Sequence, residues 1–207
     1  MIHVSTLSSD NIYKDTDFSP LETYYYRVYV QNDDGLSNGS NIESITTETI
    51  SLVSNGSFEE SGTTGWNLIP NNISEPLNSI EIDVISGDDG TNSLKFHHNA
   101  STGCWEMWIE KNITRADLTA GGTYQFTYSY KSNETITPGG MGITLKNSSI
   151  DITIPHPTFS GDGSWHTFTN TFTLPSDVGS TDPLLRIHFC IAGIVDWWID
   201  NISIVKI

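Results

Sequence analysis

Apolar and polar residues alternate with a period of two along most of the chain, the pattern of β-strands that bury one face. No extended window has an apolar period of 3.6, so we expect almost no helix. Turns rich in Gly, Asn, Asp, Pro and Ser separate the short strands predicted after residue 48. These strands cover residues 50–54, 56–59, 65–68, 79–85, 93–97, 105–111, 123–131, 141–146, 149–154, 165–174, 184–192 and 197–205. Such a series predicts an all-β sandwich of the jelly-roll type.

The segment 104–111 alternates over the length of a strand. Trp105 falls on the more apolar parity, and Glu106, Trp108 and Glu110 fall on the other. An aromatic ring between carboxylates suits a sugar, because the ring covers the apolar C–H face and the carboxylates accept hydrogen bonds from hydroxyl groups. The alternative is an edge tryptophan under a loop. This strand is therefore predicted to contact a sugar.

Two further polar rows extend this hypothesis. Arg186 and His188 share one parity of the predicted strand 184–192, and Gln125 lies on the polar parity of strand 123–131. We expect these side chains to line the same ligand-binding face as Glu106 and Trp108. The alternatives are a structural histidine and a plain solvated face.

The charge of the chain restricts the class of ligand. A formal net charge of −16 argues against nucleic acid, anionic membranes and polyanionic glycans, and it favours neutral ligands and hard cations. No signal peptide or transmembrane segment is visible in the sequence. Cys104 and Cys190 fall in predicted strands. The two alternatives are a disulfide that joins these strands and two unpaired cysteines that act as small core residues.

No catalytic constellation is visible. Glu106 and Glu110 share a face but are four strand residues apart, about 13 Å, whereas paired glycosidase carboxylates lie about 5–9.5 Å apart. The six histidines have no zinc-site spacing. We expect no enzyme activity.

The start of the chain resembles the C-terminal half of a fibronectin type III domain. The matching residues are Leu21, the run Tyr24-x-Tyr26-x-Val28-x-Val30-x-Asn32, Gly35, Ser37 and Ser40-Asn41. The resemblance implies that residues 1–48 are a partial β-sandwich and that a second domain covers residues 49–207.

The second domain resembles the family 4/9 carbohydrate-binding modules. The motifs that carry the resemblance are Asn55-Gly56-Ser57-Phe58-Glu59, Gly65-Trp66, Ser93-Leu94-Lys95, Trp105-Glu106-Met107, Leu118 with Gly122-Thr123-Tyr124-x-Phe126, Ser164-Trp165-His166-x-Phe168, and Ile199-Asp200-Asn201. The resemblance implies a jelly-roll fold that binds xylan, β-glucan or amorphous cellulose in a groove across one sheet. It also implies that Trp105 stacks on the sugar, whereas strict alternation places Trp105 in the core and leaves Trp108 on the solvent face.

The resemblance also implies a structural Ca²⁺. Glu59 and Asp200 would supply the carboxylates, and the match places backbone carbonyl ligands near Ser57 and Lys95. Trp66 and Trp165 match framework positions. Trp197 and Trp198 are adjacent, so we expect one in the core and one exposed.

The sequence as a whole predicts a non-catalytic, polysaccharide-binding module of a secreted protein, without nucleic-acid or membrane partners. We expect it to be an extracellular monomer tethered to a larger multidomain chain and to bind xylan or β-glucan. The alternative is a calcium-stabilised structural or adhesive surface module without sugar affinity. A small jelly-roll lyase or hydrolase would need a charged cluster that the sequence lacks.

Overall fold

The structure, a computed structural model, describes residues 23–46, 50–60, 62–69, 78–137 and 140–207. At residues 31–32, 46, 100–106 and 190–192 it describes the backbone alone. The chain divides into two compact units between Ile50 and Ser51.

The first unit consists of two small antiparallel pairs of strands. β1 (Thr23–Tyr26) pairs with β4 (Glu43–Thr46), and β2 (Gln31–Asn32) pairs with β3 (Gly35–Leu36). A turn at residues 33–34 joins β2 to β3, and Gly35 adopts a φ of 126°. Several large apolar side chains of this unit are exposed, among them Tyr25 by 72% and Leu36 by 69%. The resemblance of this unit to a fibronectin type III domain stays a prediction.

The second unit is a sandwich of two five-stranded sheets with almost no helix, as the alternation predicted. Its strands are β5 (Asn67–Ile69), β6 (Ser79–Asp83), β7 (Ser93–Asn112), β8 (Thr123–Ser132), β9 (Met141–Lys146), β10 (Asp151–Ile154), β11 (His166–Thr173) and β12 (Leu184–Lys206). Among the described residues, the named helical structure is one 3₁₀ turn, Arg115–Asp117. None of them forms a helix that is long and apolar enough to span a membrane.

The front sheet has the order β10-β9-β12-β7-β5 and uses residues 184–191 of β12 and 105–112 of β7. The back sheet has the order β6-β7-β12-β8-β11 and uses residues 93–100 of β7 and 193–206 of β12.

Strands β7 and β12 thus run through both sheets. The sequence predicted each of them as two separate strands, which is wrong, because the chain passes from one sheet to the other without a loop. The passage in β12 coincides with a register shift between Ile191 and Gly193, where Gly193 has a φ of 115°. This backbone conformation is strained for residues with a Cβ atom.

The core lies between the two sheets. Trp197 is completely buried and stacks on Phe96, with ring centroids 3.9 Å apart. It also contacts Phe189 of the front sheet at 4.9 Å. Its neighbour Trp198 lies half-buried on the other side of the back sheet, so one of the two tryptophans is in the core as predicted and the other is only partly exposed. Trp66 is buried as predicted, and its Nε1 donates to the carbonyl of Asn55 at 3.0 Å.

Residues 50–54 and 56–59 do not form the predicted strands. Asn55 and Phe58 adopt φ values of 49° and 57°, which turn the chain. Gly56 lies against the last strand, where a Cβ atom would be 1.9 Å from the carbonyl oxygen of Ile202. The backbone N–H of Ile202 donates to the Gly56 carbonyl at 2.9 Å. The Asn-Gly-x-Phe-Glu motif is therefore a turn that closes the unit onto β12.

Candidate functional site

The outer side of the front sheet, called the front face, carries two rows of side chains that cross the strands. In the first row, Ile69, Trp108, His188 and Gly142 lie opposite one another on β5, β7, β12 and β9. Neighbouring strands are about 4.8 Å apart, so this row spans about 14 Å.

The second row runs beside the first and is polar. Asn67, Glu110, Arg186, Thr144 and Thr153 lie opposite one another on β5, β7, β12, β9 and β10. The residues between these positions on β7 and β12 are buried. The front face is therefore an aromatic row with a parallel row of hydrogen-bonding groups.

Trp108 is the large aromatic residue of the front face. It is half-buried, and the guanidinium carbon of Arg186 lies 5.2 Å from its ring centroid. Its Nε1 is buried and has no hydrogen-bond partner in the described part of the chain. Strict alternation predicted this outward position, since Met107 and Ile109 on either side are completely buried.

Glu110 fixes the polar row. Its Oε2 accepts hydrogen bonds from Nη2 and Nε of Arg186 at 2.9 and 3.2 Å, and its Oε1 accepts one from Nδ2 of Asn67 at 3.0 Å. The Arg186 charge is thereby neutralised, and the guanidinium is held beside the indole of Trp108. The arrangement presents planar polar groups of fixed orientation.

His188 lies over the backbone of β9. A Cβ atom at Gly142 would be 2.3 Å from Cε1 of the imidazole, so the absence of a side chain at Gly142 lets the ring lie close to the sheet. The result is a low floor between Trp108 and the strand β9.

The structure brings together three of the residues predicted to bind ligand, namely Trp108, Arg186 and His188. Trp105 and Glu106 lie on the same strand, in register with Ile191 and Cys190. Their side chains lie outside the described ones, so the role of Trp105 stays a prediction, and so does the pairing of Cys104 with Cys190.

Gln125 does not share this face. It lies on β8 of the back sheet, opposite Thr171 of β11 and Val205 of β12. The sequence grouped it with Arg186 because polarity and parity show which side of a strand a residue occupies, but not to which sheet the strand belongs. The prediction of one shared face for Gln125, Arg186 and His188 is therefore wrong.

Asn67, Gly142 and Thr144 were not recognised from the sequence, whereas Glu110 was placed on the same side of its strand as Trp108 but not among the predicted ligand-binding residues. Alternation would also have assigned Thr144 to an outer face. The positions of Asn67 and Gly142 depend on strand register, for which the sequence carries no local signal.

Glu59 and Asp200, the predicted calcium ligands, bind the same loop. Glu59 Oε1 accepts hydrogen bonds from the backbone N–H groups of Thr91 and Asn92 at 2.8 and 2.7 Å. Asp200 Oδ2 accepts one from the N–H of Asp88 at 2.8 Å. The loop therefore connects the opening turn of the unit to its last strand.

Asp200 is a buried carboxylate with acidic neighbours. Its pKa is raised to about 6, chiefly because burial disfavours the charged form. Asp89 and Asp88 raise the pKa further, and hydrogen bonds from the N–H groups of Asp88 and Asn201 lower it. No ion pair to Asp200 occurs among the described residues. Several carboxylate oxygens and their negative charge therefore lie close together here, an environment that fits a hard cation.

The other two predicted calcium ligands fit less closely. Ser57 lies in the turn next to Glu59 and lines an open depression together with Asp88 and Asp89. Lys95 is in the interior of the back sheet, and its side chain pairs with Asp196 at 3.3 Å. Within the described part of the chain, no group of three or more His, Cys, Asp or Glu side chains is arranged to hold a metal. A bound ion would therefore need backbone carbonyls as well.

Comparison with known proteins adds to this geometry. Residues 51–190 match the family model described as "Carbohydrate binding domain", CBM_4_9. No curated protein matches the chain significantly.

Solved structures share the fold. The "Family 16 Carbohydrate Binding Module-2" is 20% identical with a TM-score of 0.51, and the match covers 74% of this chain and 99% of that one. The CBM61 domain in complex with β-1,4-galactotriose is 12% identical with a TM-score of 0.54 and coverages of 77% and 100%. The CBM22-1 xylan-binding domain of Paenibacillus barcinonensis Xyn10C is 11% identical with a TM-score of 0.51 and coverages of 76% and 95%.

Proposed function

The chain belongs to the carbohydrate-binding domain family that residues 51–190 match, and we propose that its second unit binds a neutral β-linked polysaccharide, a xylan or a β-glucan, on the front face. The unit acts without catalysis. It targets a secreted, polysaccharide-active, multidomain protein to its substrate as an extracellular monomeric module.

The observation that carries this proposal is the fixed polar row beside Trp108. Asn67, Glu110 and Arg186 hold one another by hydrogen bonds, so their remaining donors and acceptors are oriented before a ligand arrives. Preorganisation of this kind lowers the entropic cost of binding a flexible polysaccharide. The aromatic row alongside would cover the apolar face of a sugar ring.

The charge of the face supports a neutral ligand. Glu110 neutralises Arg186, and the chain as a whole carries a formal charge of −16. A linear β-linked chain lying across the strands would meet both rows along its length. Among proteins of the same fold, one is named for xylan binding and one was solved with β-1,4-galactotriose.

We further propose that Ca²⁺ stabilises the unit. Asp200 and Glu59 would supply carboxylate oxygens, Asp88 and Asp89 lie close enough to raise the pKa of Asp200, and carbonyl groups of the turn around Ser57 would complete the shell. The ion would supply the positive charge that the buried carboxylate lacks. It would act on stability and not on the sugar-binding face.

A second function is favoured by one observation. The guanidinium of Arg186 covers part of the Trp108 ring, so a sugar must stack on the guanidinium or displace it. If neither occurs, the unit is a calcium-stabilised structural or adhesive surface module.

Isothermal titration of the full chain with xylohexaose, cellohexaose and laminarihexaose, with and without EDTA, tests the two functions. We expect binding of at least one of these sugars. Absence of binding to all three in the presence of Ca²⁺ would favour the surface module.

A further inference from the structure

The outer side of the back sheet, called the back face, carries a second cluster of aromatic and basic side chains, which is separate from the front face. Trp198 of β12 lies in register with Lys95 of β7 and Lys131 of β8. The two ammonium groups lie 5.3 and 4.4 Å from its ring centroid. Trp198 Nε1 donates to Oδ2 of Asp83 at 2.8 Å, which fixes the indole.

Lys131 lies between two indoles. Its Nζ is 4.4 Å from the ring centroid of Trp198 and 5.0 Å from that of Trp165. All three side chains are half-buried. Trp165 was assigned to the framework from the sequence, but the structure places it immediately before β11, beside this cation.

The two lysines differ in their partners. Lys95 pairs with Asp196 at 3.3 Å, and the same carboxylate contacts Nδ1 of His97 at 2.5 Å. Lys131 donates a hydrogen bond to Oγ of Ser86, and in the described part of the chain it has no carboxylate oxygen within 4.0 Å. Burial lowers the pKa of Lys131, Asp83 raises it and Lys95 lowers it. Lys131 is thus a partly desolvated cation without a direct counter-ion among the described residues.

There is room beside the cluster. The open depression of about 650 Å³ that adjoins the proposed cation site lies on the same face, and its lining includes Ser129 and Thr167 as well as the carboxylates of Asp88 and Asp89. At the other side, Val84 and Ile85 are exposed by 63% and 90%, next to the residues that contact Trp198 and Lys131. The exposed aliphatic side chains at the rim and the hydroxyl groups of the depression suit the apolar and hydroxyl parts of a sugar, whereas Asp88 and Asp89 would repel its carboxylate and leave Lys131 as the place for it.

We propose that the back face is a second ligand site, which binds a carboxylate-bearing sugar of a mainly neutral polysaccharide. The ammonium of Lys131 receives the carboxylate, and the indoles of Trp198 and Trp165 cover the apolar face of the ring. This proposal goes beyond the function assigned to the front face and requires none of its residues.

The acidity of the chain limits the ligand to isolated carboxylates. Charges more than about 8 Å apart are largely screened at physiological salt, so one carboxylate at Lys131 is governed by its near neighbours. A polyanion would place further charges along a surface with a formal net charge of −16 and would be repelled. The site therefore fits occasional uronic acid groups on a neutral backbone.

The test uses the full chain with Trp108→Ala, so that the front face does not contribute. The probes are xylotetraose that carries one glucuronic acid group and the same compound with its carboxyl group reduced to an alcohol. We expect the acidic probe to bind, and the reduced probe to bind about tenfold or more weakly, the usual effect of losing a charged hydrogen bond. The indole N–H signal of Trp198, identified with Trp198→Phe, should shift with the acidic probe.

The matched variants are Lys131→Met and Lys131→Arg in the same background. Lys131→Met keeps the length of the side chain, so it should retain the melting temperature and lose binding of the acidic probe. Lys131→Arg keeps the charge and should restore binding. Absence of binding of the acidic probe, equal binding of both probes, or unchanged affinity of Lys131→Met would each overturn the proposal. If the unmodified chain does not bind xylohexaose, that result would instead contradict the function proposed for the front face.

Discussion

The front and back faces of the sandwich each place a cation against tryptophan, Arg186 beside Trp108 and Lys131 between Trp198 and Trp165, yet the nearby carboxylates differ. On the front face, Arg186 is neutralised by two hydrogen bonds to Glu110, and Nε1 of Trp108 has no described partner. On the back face, Nε1 of Trp198 donates to Asp83, and Lys131 contacts no carboxylate of the residues that the structure describes. The same pair of residue types can therefore offer a neutral, oriented surface or a local positive charge, depending on where the nearest carboxylate binds.

The largest expected effect separates the two tryptophans. Trp108→Ala should reduce binding of neutral xylo- and gluco-oligosaccharides below detection, because the exposed part of the indole, roughly 100 Å² at most, and the sugar surface that it covers together correspond to a few kcal/mol. Trp198→Ala should leave that binding unchanged. Isothermal titration of both variants measures the difference. Equal losses in the two variants would mean that the front face is not the site for neutral sugars.

Glu110→Gln should weaken neutral-sugar binding about tenfold, because Arg186 and Asn67 lose the carboxylate that orients them. Glu81→Gln is the matched control, since Glu81 is an exposed glutamate on the back sheet. Titration calorimetry with the best neutral ligand would measure both. Retention of full affinity by Glu110→Gln would show that the polar row does not orient the ligand.

The pH dependence of stability tests the cation site near Asp200. The folded-state pKa is raised from 3.8 to about 6, so between these values the folded state holds a proton that the unfolded state has released. In EDTA, the raised pKa of Asp200 should therefore stabilise the folded state below pH 4. This stabilisation, at most about 3 kcal/mol in the free energy of unfolding, should be lost as the pH rises through 6.

Denaturant unfolding at several pH values measures this slope, and Asp200→Asn, which cannot titrate, should lack it. A Ca²⁺ concentration about 100-fold above the dissociation constant should raise the stability of the unmodified chain by about 2.7 kcal/mol at neutral pH. The affinity of the front face for sugar should not change with the ion. An identical melting temperature in Ca²⁺ and in EDTA would refute the calcium proposal.

The smallest expected effect concerns the floor of the front face. Gly142→Ala places a Cβ atom against the imidazole of His188 and should lower the affinity for a neutral oligosaccharide about threefold, because the ring can shift. In a His188→Ala background the same change should have no effect. A double-mutant cycle by titration calorimetry measures this coupling, and additive losses would show that Gly142 acts independently of His188.

Alternation in the sequence predicted the fold class and the two sides of single strands. It placed Trp108 on the solvent side of its strand, and the structure confirms this position. It did not predict that β7 and β12 continue through residues 98–104 and 193–196, because Asn, Ser, Thr and Gly there are typical of turns.

The register of strands that are distant in the sequence was also beyond prediction. Gln125 was therefore assigned to the wrong sheet, and Asn67 was not recognised as a neighbour of Glu110. A pattern along one strand contains no information about its partners unless a short turn joins them. The contacts that form the two faces join strands separated by dozens of residues.

The position of β12 at the centre of both sheets has a consequence for how the protein is made. β7, β8 and β9 all pair with β12, so none of them has its full set of hydrogen bonds until residues 184–206 have left the ribosome. During synthesis, these strands expose unpaired edges and apolar surface for as long as their common partner is missing. Because the contacts are also distant in sequence, we expect folding to be slow and to follow, not accompany, translation of the unit.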